Sequence, residues 1–292
     1  MRITTDSNYR NLLDDIQRIS ERIQAAQSQV TSGKKLNRPS DNPSGASDVL
    51  RIDTDRAVNA QYADNAATAQ SRLQIADSTL DGVQQTAERI RSLGLLADTN
   101  SAASSISTEE IDGLRDQLLS YANTTYDGQF IFAGSQTDSA AFVKAGDGTV
   151  TYAGDSQVMQ LQVGNVTTLQ TQVPGDQVFT SGVDVFKAVS DLSSAMASGD
   201  RNAIRTQIAN IEQFIQNVSS VRTGIGGLIN EASTTQTALK QSDLTQVAHL
   251  SQLQDADLAE ALSELSQGQT ALQAATAVGA RVTSISILDY LK

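Results

Sequence analysis

Long stretches of the chain carry apolar residues at alternating spacings of three and four, the pattern of a helix that packs along another helix. The first such stretch covers residues 9–30. An isolated helix gains little stability without a packing partner, so this stripe needs a second helix from the same chain or from another copy. Its apolar members are Tyr9, Leu12, Ile16, Ile19, Ile23, Ala26 and Val30.

A second stripe of the same spacing lies at the other end of the chain, from residue 258 to residue 291. The two stripes run to the chain ends, where globular proteins usually fray. An intramolecular helical bundle and packing between copies both fit this pattern, and the position of the stripes favours packing between copies. We therefore predict an assembly interface made of Leu12, Ile16, Ile19, Ile23, Val30, Leu258, Leu262, Leu265, Leu272, Val282, Ile285, Leu288 and Leu291.

Helical periodicity also predicts helices over about 44–99, 107–121, 185–196 and 204–232, and the helix over 107–121 is expected to start with a capping box from Ser107 to Glu110. From residue 126 to about 180 the period becomes alternating, with hairpin turns expected at Asp147-Gly148 and Gly164-Asn165. The predicted fold is mainly α with a small β-rich insert. Long helices from both termini would pack as an antiparallel or coiled-coil bundle in an elongated, rod-like subunit.

The stretch TSGKKLNRPSDNPSGAS, residues 31–47, interrupts the helical pattern. Gly33 suits the left-handed residue that ends a helix, Asn42 suits an N-cap, and Pro43 suits a first helical residue. An ordinary helix–helix connector would have the same features. We predict an inter-domain loop that includes Gly33, Lys34, Lys35, Arg38, Pro39, Asp41, Asn42 and Pro43.

Composition and charge narrow the function. The chain of 292 residues has a net charge of −12, 4% aromatic residues, no cysteine and no tryptophan, and its one histidine is His249. The negative charge argues against nucleic-acid or anionic-membrane partners, and no apolar stretch has the length of a membrane span. Without cysteine and with one histidine, metal sites of the zinc-finger or metalloprotease kind are excluded. We expect no catalytic residue, no metal and no cofactor.

Three segments together resemble the bacterial flagellin superfamily: SGKKLNRPSDNPSGA at 32–46, FIFAGSQT at 130–137, and QDADLAEALSELSQGQTALQAATAVGARVTSISILDYL at 254–291. The start MRITT, the loop PSDNP and the end ISILDYLK are similar to its hook-associated members rather than to filament flagellins. IGGLIN at 225–230 departs from the GAR-type sequence common in the family.

The resemblance implies a structural protein that polymerises at the hook–filament junction of the bacterial flagellum. Its partners would be further copies, an adjacent hook-associated protein and flagellin. Type III export would carry it outside the cell after a chaperone has held its C-terminal helix. Residues 1–33 and 255–292 would form an inner tube, 34–128 and 184–254 a helical bundle domain, and 129–183 an outer domain.

Two alternatives stay open. The chain could be the filament flagellin itself, or an adhesin or enzyme carried on a flagellin-like scaffold. The aromatic residues of the insert are the candidates for glycan binding, although they suit a small core better. They are Phe130, Phe132, Phe142, Tyr152 and Phe179.

Overall fold

The computed structural model describes residues 2–99 and 104–290, with the side chains of residue 7 and of residues 10–99 and 108–280. Helices dominate this described part, as predicted from the periodicity of the sequence. They are α1 (Arg2–Ser32), α2 (Pro43–Thr99), α3 (Ser104–Ala122), α4 (Val185–Ser198), α5 (Arg201–Gln254) and α6 (Leu258–Tyr290).

Three short antiparallel hairpins lie between α3 and α4. They pair β1 (Thr125–Tyr126) with β2 (Gln129–Phe130), β3 (Phe142–Lys144) with β4 (Val150–Tyr152), and β5 (Gln160–Gln162) with β6 (Thr168–Gln170). The two predicted hairpin turns are confirmed, and a one-turn π-helix follows at Asp176–Thr180. The predicted small β insert is therefore present.

The turn between β1 and β2 was not predicted. Asp127 and Gly128 both have positive φ angles, 51° and 75°. Positive φ at both central residues is the geometry of a type I′ hairpin turn, for which Asp-Gly is a favoured pair. The dipeptide was the available signal in the sequence.

One local prediction about the helices differs from the structure. Helix α3 begins at Ser104, so the predicted capping box at Ser107 is wrong, because Ser107 already lies inside the helix. Helix α5 continues without a break through Gly224, Gly226 and Gly227. A Cβ added at any of these glycines would meet nothing within 4 Å, so packing in this chain does not require them.

The described chain divides into two compact units. One contains residues 1–57 and 242–292, and the other contains residues 58–241. Helices α2 and α5 contribute residues to both.

The second unit has a core of aliphatic side chains between antiparallel helices. Ion pairs from Arg222 to Asp77 (3.0 Å) and from Arg205 to Asp98 (3.1 Å) show that α2 and α5 run in opposite directions. Burial of apolar side chains supplies the main stabilising free energy, at about 25 cal/mol per Å². Fully buried members include Leu73, Leu80, Ile90, Ile111, Leu118 and Ile211.

The insert belongs to this second unit and has an aromatic core. Phe142 contacts Phe179 edge to face, with ring centroids 5.2 Å apart, and Phe132 packs on Phe179 at 5.5 Å. All three rings are buried. The hydroxyl of Tyr152 donates to the carbonyl oxygens of Phe132 (3.0 Å) and Asp155 (2.7 Å). These rings form the small core of the insert, as the sequence predicted for its aromatic residues.

Candidate assembly surface

The terminal helices α1 and α6 pack against each other within one chain and run antiparallel. A Cβ built at Gly268 would lie 2.8 Å from Cγ1 of Ile23, and one built at Gly279 would lie 3.1 Å from Cδ2 of Leu12. Both pairs are eleven residues apart along their helices, so the contact repeats after three helical turns. The predicted antiparallel packing of the terminal helices is confirmed.

The two predicted stripes meet at this contact, which we call the terminal seam. Only two small members, Ala26 and Ala261, are buried, whereas the larger members stay half-buried. A pair of helices covers only one side of each apolar stripe, which explains the partial exposure. The terminal seam consists of Leu12, Ile16, Ile19, Ile23, Ala26 and Val30 on α1, and Ala261, Leu265, Gly268, Leu272, Ala275 and Gly279 on α6.

Other residues of the predicted assembly interface lie elsewhere. Leu258 and Leu262 are 49% and 53% exposed, so they are apolar side chains that the α1–α6 pair leaves uncovered. Val282, Ile285 and Leu288 lie where the structure describes the backbone of α6 but not the side chains, and Leu291 lies outside the described residues. Contact between copies stays a prediction for all of them.

Gly268 and Gly279 are the contact residues whose role the sequence analysis missed. Each occupies a seam position where an apolar side chain is expected, and the lack of a Cβ lets a large residue of α1 approach the α6 backbone. The sequence did contain a signal for this role. Ala would favour a helix by about 1 kcal/mol over Gly, so two glycines at apolar positions of one helix indicate a close approach of another helix.

The loop between α1 and α2 has the predicted local geometry. Gly33 has a φ of 69°, and its N–H donates to the carbonyl of Gln29 at 2.8 Å, which ends α1. Oδ1 of Asn42 accepts from the N–H of Gly45 at 3.0 Å, and Pro43 is the first residue of α2. The N-cap, the helix start and the left-handed glycine are therefore confirmed.

The loop is also tied to the connection between α5 and α6, which the sequence did not indicate. The N–H of Lys35 donates to the carbonyl of Gln254 at 2.7 Å, and the N–H of Ala256 donates to the carbonyl of Gly33 at 2.9 Å. Nζ of Lys35 donates to the carbonyl of Gln252 at 2.7 Å. The α1–α2 loop and the α5–α6 connection therefore lie side by side at one end of the α1–α6 pair.

Inside the loop, the carboxylate of Asp41 organises the backbone. Its Oδ2 accepts from the N–H groups of Arg38 (2.8 Å) and Asn37 (3.2 Å). Asp41 is therefore engaged with the main chain rather than with a cation. The side chains of Lys34 and Arg38 are exposed, as is Pro39, and among the described residues neither cation has an ion pair or a side-chain hydrogen bond.

The described residues offer no arrangement for metal chemistry. No group of three or more His, Asp or Glu side chains lies close enough to hold a metal ion in this part of the chain. His249 is exposed. Within the described residues, no helix has the length and apolar character to cross a membrane.

Comparison with protein families matches most of the chain. The bacterial flagellin N-terminal helical region matches residues 3–137, and the bacterial flagellin C-terminal helical region matches residues 208–291. These two matches contain α1, α2, α3 and α6 and most of α5. The unmatched middle contains β3 to β6 and α4.

Relatives extend over the full length. Flagellar hook-associated protein 3 of Escherichia coli is 28% identical, with 100% of each chain covered. Flagellin of Listeria innocua is 24% identical, with 99% of this chain and 95% of the relative covered.

A solved structure shows the same fold. It is a putative flagellar hook-associated protein from Vibrio parahaemolyticus, which has a TM-score of 0.69 at 22% identity and covers 74% of this chain and 100% of its own. Family matches at both ends of the chain and relatives over its full length lead to one conclusion. The chain belongs to the bacterial flagellin superfamily and, within it, is related to the hook-associated proteins.

Proposed function

We propose that this protein is a structural subunit of the bacterial flagellum that polymerises at the hook–filament junction and connects the hook to the flagellin filament. The observation that carries the proposal is the α1–α6 pair, whose terminal seam is half-buried and whose Leu258 and Leu262 are exposed. Such a surface gains free energy when further copies cover it. Full-length similarity to a flagellar hook-associated protein supports the location.

In this proposal the subunit has three layers. Residues 1–33 and 255–292 form the inner tube, residues 34–128 and 184–254 form the helical bundle around it, and residues 129–183 project outward. The loop with Gly33 and Asn42 joins the inner layer to the bundle. Many copies stack helically, with a hook-associated protein on the hook side and flagellin on the filament side.

Export is the second part of the proposal. The protein reaches the outside of the cell through the flagellar type III pathway and acts there. A chaperone holds the C-terminal helix before export, because exposed apolar side chains such as Leu258 and Leu262 would otherwise promote premature association.

Deletion of residues 258–292 tests the assembly role. It removes α6, so we expect the variant to be absent from purified flagella, while circular dichroism and cooperative melting show that residues 58–241 stay folded. That unit has its own core, which supports this expectation. Collapse of the whole protein would instead favour a purely intramolecular bundle.

The filament subunit is the second candidate, supported by the match to Listeria flagellin. A cell lacking a junction protein keeps its hooks, forms no filaments and loses flagellin to the medium. A cell lacking its filament subunit has no flagellin to lose. Electron microscopy of a deletion strain with assay of the medium separates the two.

An adhesive role for the insert has less support, because the Phe132, Phe142 and Phe179 rings are buried and cannot stack on a glycan. A glycan-binding screen with the full chain would give no signal if the insert has only a structural role.

A further inference from the structure

Charge is unevenly distributed along the chain. Residues 16–40 carry five cationic side chains and one carboxylate, and residues 241–280 carry five carboxylates and neither Lys nor Arg. The first segment includes the end of α1 and the following loop, and the second includes the end of α5 and most of α6. The cations are Arg18, Arg22, Lys34, Lys35 and Arg38, and the carboxylates are Asp243, Asp255, Asp257, Glu260 and Glu264.

Three of these carboxylates form ion pairs or hydrogen bonds within the chain. Asp243 forms an ion pair with Arg56 at 2.9 Å. Asp257 accepts from the N–H groups of Ala259 and Glu260, at 2.9 and 3.2 Å, and so caps α6. Asp255 accepts from the hydroxyl of Ser251.

Glu260 and Glu264 are different. Both are exposed, and among the described residues neither side chain has an ion pair or a hydrogen bond. They lie four residues apart, so both point to one face of α6. This face of α6 therefore presents two carboxylates that have no cation partner among the described residues.

The loop offers the complementary cations. Lys34 and Arg38 are exposed and unengaged within the described residues, because Asp41 binds the loop backbone instead of either cation. Lys35 is partly used, since its ammonium group binds a carbonyl. Arg38 can bind a carboxylate through two parallel N–H groups, whereas Lys34 supplies a mobile point charge.

We propose that Glu260 and Glu264 of one copy bind Lys34 and Arg38 of a second copy, an inference that rests on the proposed polymerisation. In a stack of copies each subunit gives its carboxylates to one neighbour and its cations to another, so the proposed contact is heterologous. A heterologous contact that does not close on itself propagates into a helical assembly. Exposed ion pairs are individually weak, and repetition around the assembly gives them their effect.

Attraction between the two segments of a single chain is the competing explanation. It predicts that the charges act in cis and stabilise each monomer. The contact between copies predicts that they act in trans and leave monomer stability unchanged.

Two charge-reversed full chains separate these explanations. One carries Lys34→Glu and Arg38→Glu, and the other carries Glu260→Lys and Glu264→Lys. Each is expressed alone, and both are then expressed together, in a strain lacking its own copy of this protein. Electron microscopy counts the hooks that carry filaments.

We expect each variant alone to reduce filament-bearing hooks at least tenfold, because every repeated contact then places like charges together. Co-expression should restore most of them, because the negative loop of one chain meets the positive helix of the other. Two outcomes overturn the proposal: normal filaments with either variant alone, or no restoration on co-expression. If both charge-reversed variants are incorporated normally while the variant lacking residues 258–292 is not, this contact is disproved and the proposed function still stands.

Thermal melting of each purified variant is the control for correct folding. The melting temperature of each should match that of the wild type within a few degrees. Cross-linking gives a second test, because the chain has no cysteine. Chains with Arg38→Cys and chains with Glu264→Cys, assembled together, should form disulfide-linked dimers. Glu109→Cys, at an exposed position of α3, replaces Glu264→Cys in the control and should form none. Equal yields in the two mixtures contradict the proposal.

Discussion

Ile23 of α1 lies directly over Gly268 of α6, so close that a Cβ at position 268 would come within 2.8 Å of Cγ1 of Ile23. This atom is bonded to the Cβ of Ile23, and a β-branched side chain in a helix has one strongly preferred χ1 rotamer, so moving the atom aside costs energy. The contact fixes the distance between the two terminal helices, and the pair Leu12–Gly279 repeats it eleven residues away at 3.1 Å.

Gly268→Ala should therefore loosen the α1–α6 pair. Overpacking costs about 1–3 kcal/mol, and the better helix propensity of Ala returns about 1 kcal/mol. The net cost is then up to about 2 kcal/mol, and a cost of about 1.4 kcal/mol would raise amide exchange over residues 10–30 roughly tenfold. Gly279→Ala should have a smaller effect, because the methyl end of Leu12 can move.

Gly224→Ala is the matched control, since a Cβ there meets nothing within 4 Å. It should stabilise α5 by about 1 kcal/mol. Adding Ile23→Ala to Gly268→Ala tests the contact itself, because removal of Cγ1 should make the double variant less destabilised than the sum of the single variants. Additive effects would show that Gly268 acts through something other than Ile23.

Periodicity predicted the helices well, because apolar residues at alternating spacings of three and four fall on one face of a helix and not on one face of a strand. The 3–4 spacing of Leu12, Ile16, Ile19 and Ile23 is found on the buried side of α1, as expected. The loop geometry was also predictable, because Gly33 and Asn42 form hydrogen bonds with residues three or four positions away in the sequence. The pairing of the loop with Gln254 was not, because a main-chain hydrogen bond leaves no mark on side-chain identity.

The partner of the stripes was harder to predict than the stripes themselves. Side-chain spacing shows that a helix needs a neighbour and does not show whether the neighbour belongs to the same chain. The structure places α1 on α6 within one chain, while the exposure of Leu262 leaves room for further copies.

Arg222 interrupts an apolar stripe of α5 between the buried Val218 and Ile225. It binds Asp77 at 3.0 Å and Asp81 at 2.8 Å, two residues four positions apart on α2. Hydrogen bonding to Asp77 is the main cause of the raised pKa of Arg222. A charged residue in an apolar contact can fix the register of two helices, because a shift would bury it unpaired.

We expect Asp77→Ala to destabilise the protein by about 0.5–1 kcal/mol, a modest value because the carboxylates are partly exposed. Arg222→Met should cost less, because an apolar side chain of similar size suits its buried neighbours. Urea unfolding followed by circular dichroism measures both, with Asp64→Ala, an exposed carboxylate of α2, as control. A larger loss from Arg222→Met than from Asp77→Ala would contradict this account.

Asn42 caps the start of α2, where its Oδ1 accepts from the N–H of Gly45 and from the hydroxyl of Ser44. Asn42→Ala should cost about 1 kcal/mol, because these donors lose their partner. Asn42→Asp keeps an acceptor and should be nearly neutral. Amide exchange in the first turn of α2 is the measurement, and equal exchange in the two variants would show that the side chain does not cap the helix.

The hydroxyl of Tyr152 makes part of the folding stability depend on alkaline pH. Burial, followed by the nearby charge of Asp176, raises its pKa from 10.0 to about 12. A pKa raised in the folded state means that the folded protein holds the phenolic proton more tightly than the unfolded chain. This contribution to stability is complete below pH 10 and is lost as the pH rises from 10 towards 12.

Tyr152→Phe tests that sign. At neutral pH it should destabilise the protein by about 1 kcal/mol, because the hydrogen bonds donated to the carbonyls of Phe132 and Asp155 are lost. Between pH 10 and 12 the variant should lose less stability than the wild type, so that the two unfolding curves approach each other. The difference between their tyrosinate absorbance titrations reports the pKa of Tyr152 directly. A difference centred near 10 would show that this hydroxyl titrates as if it were in water.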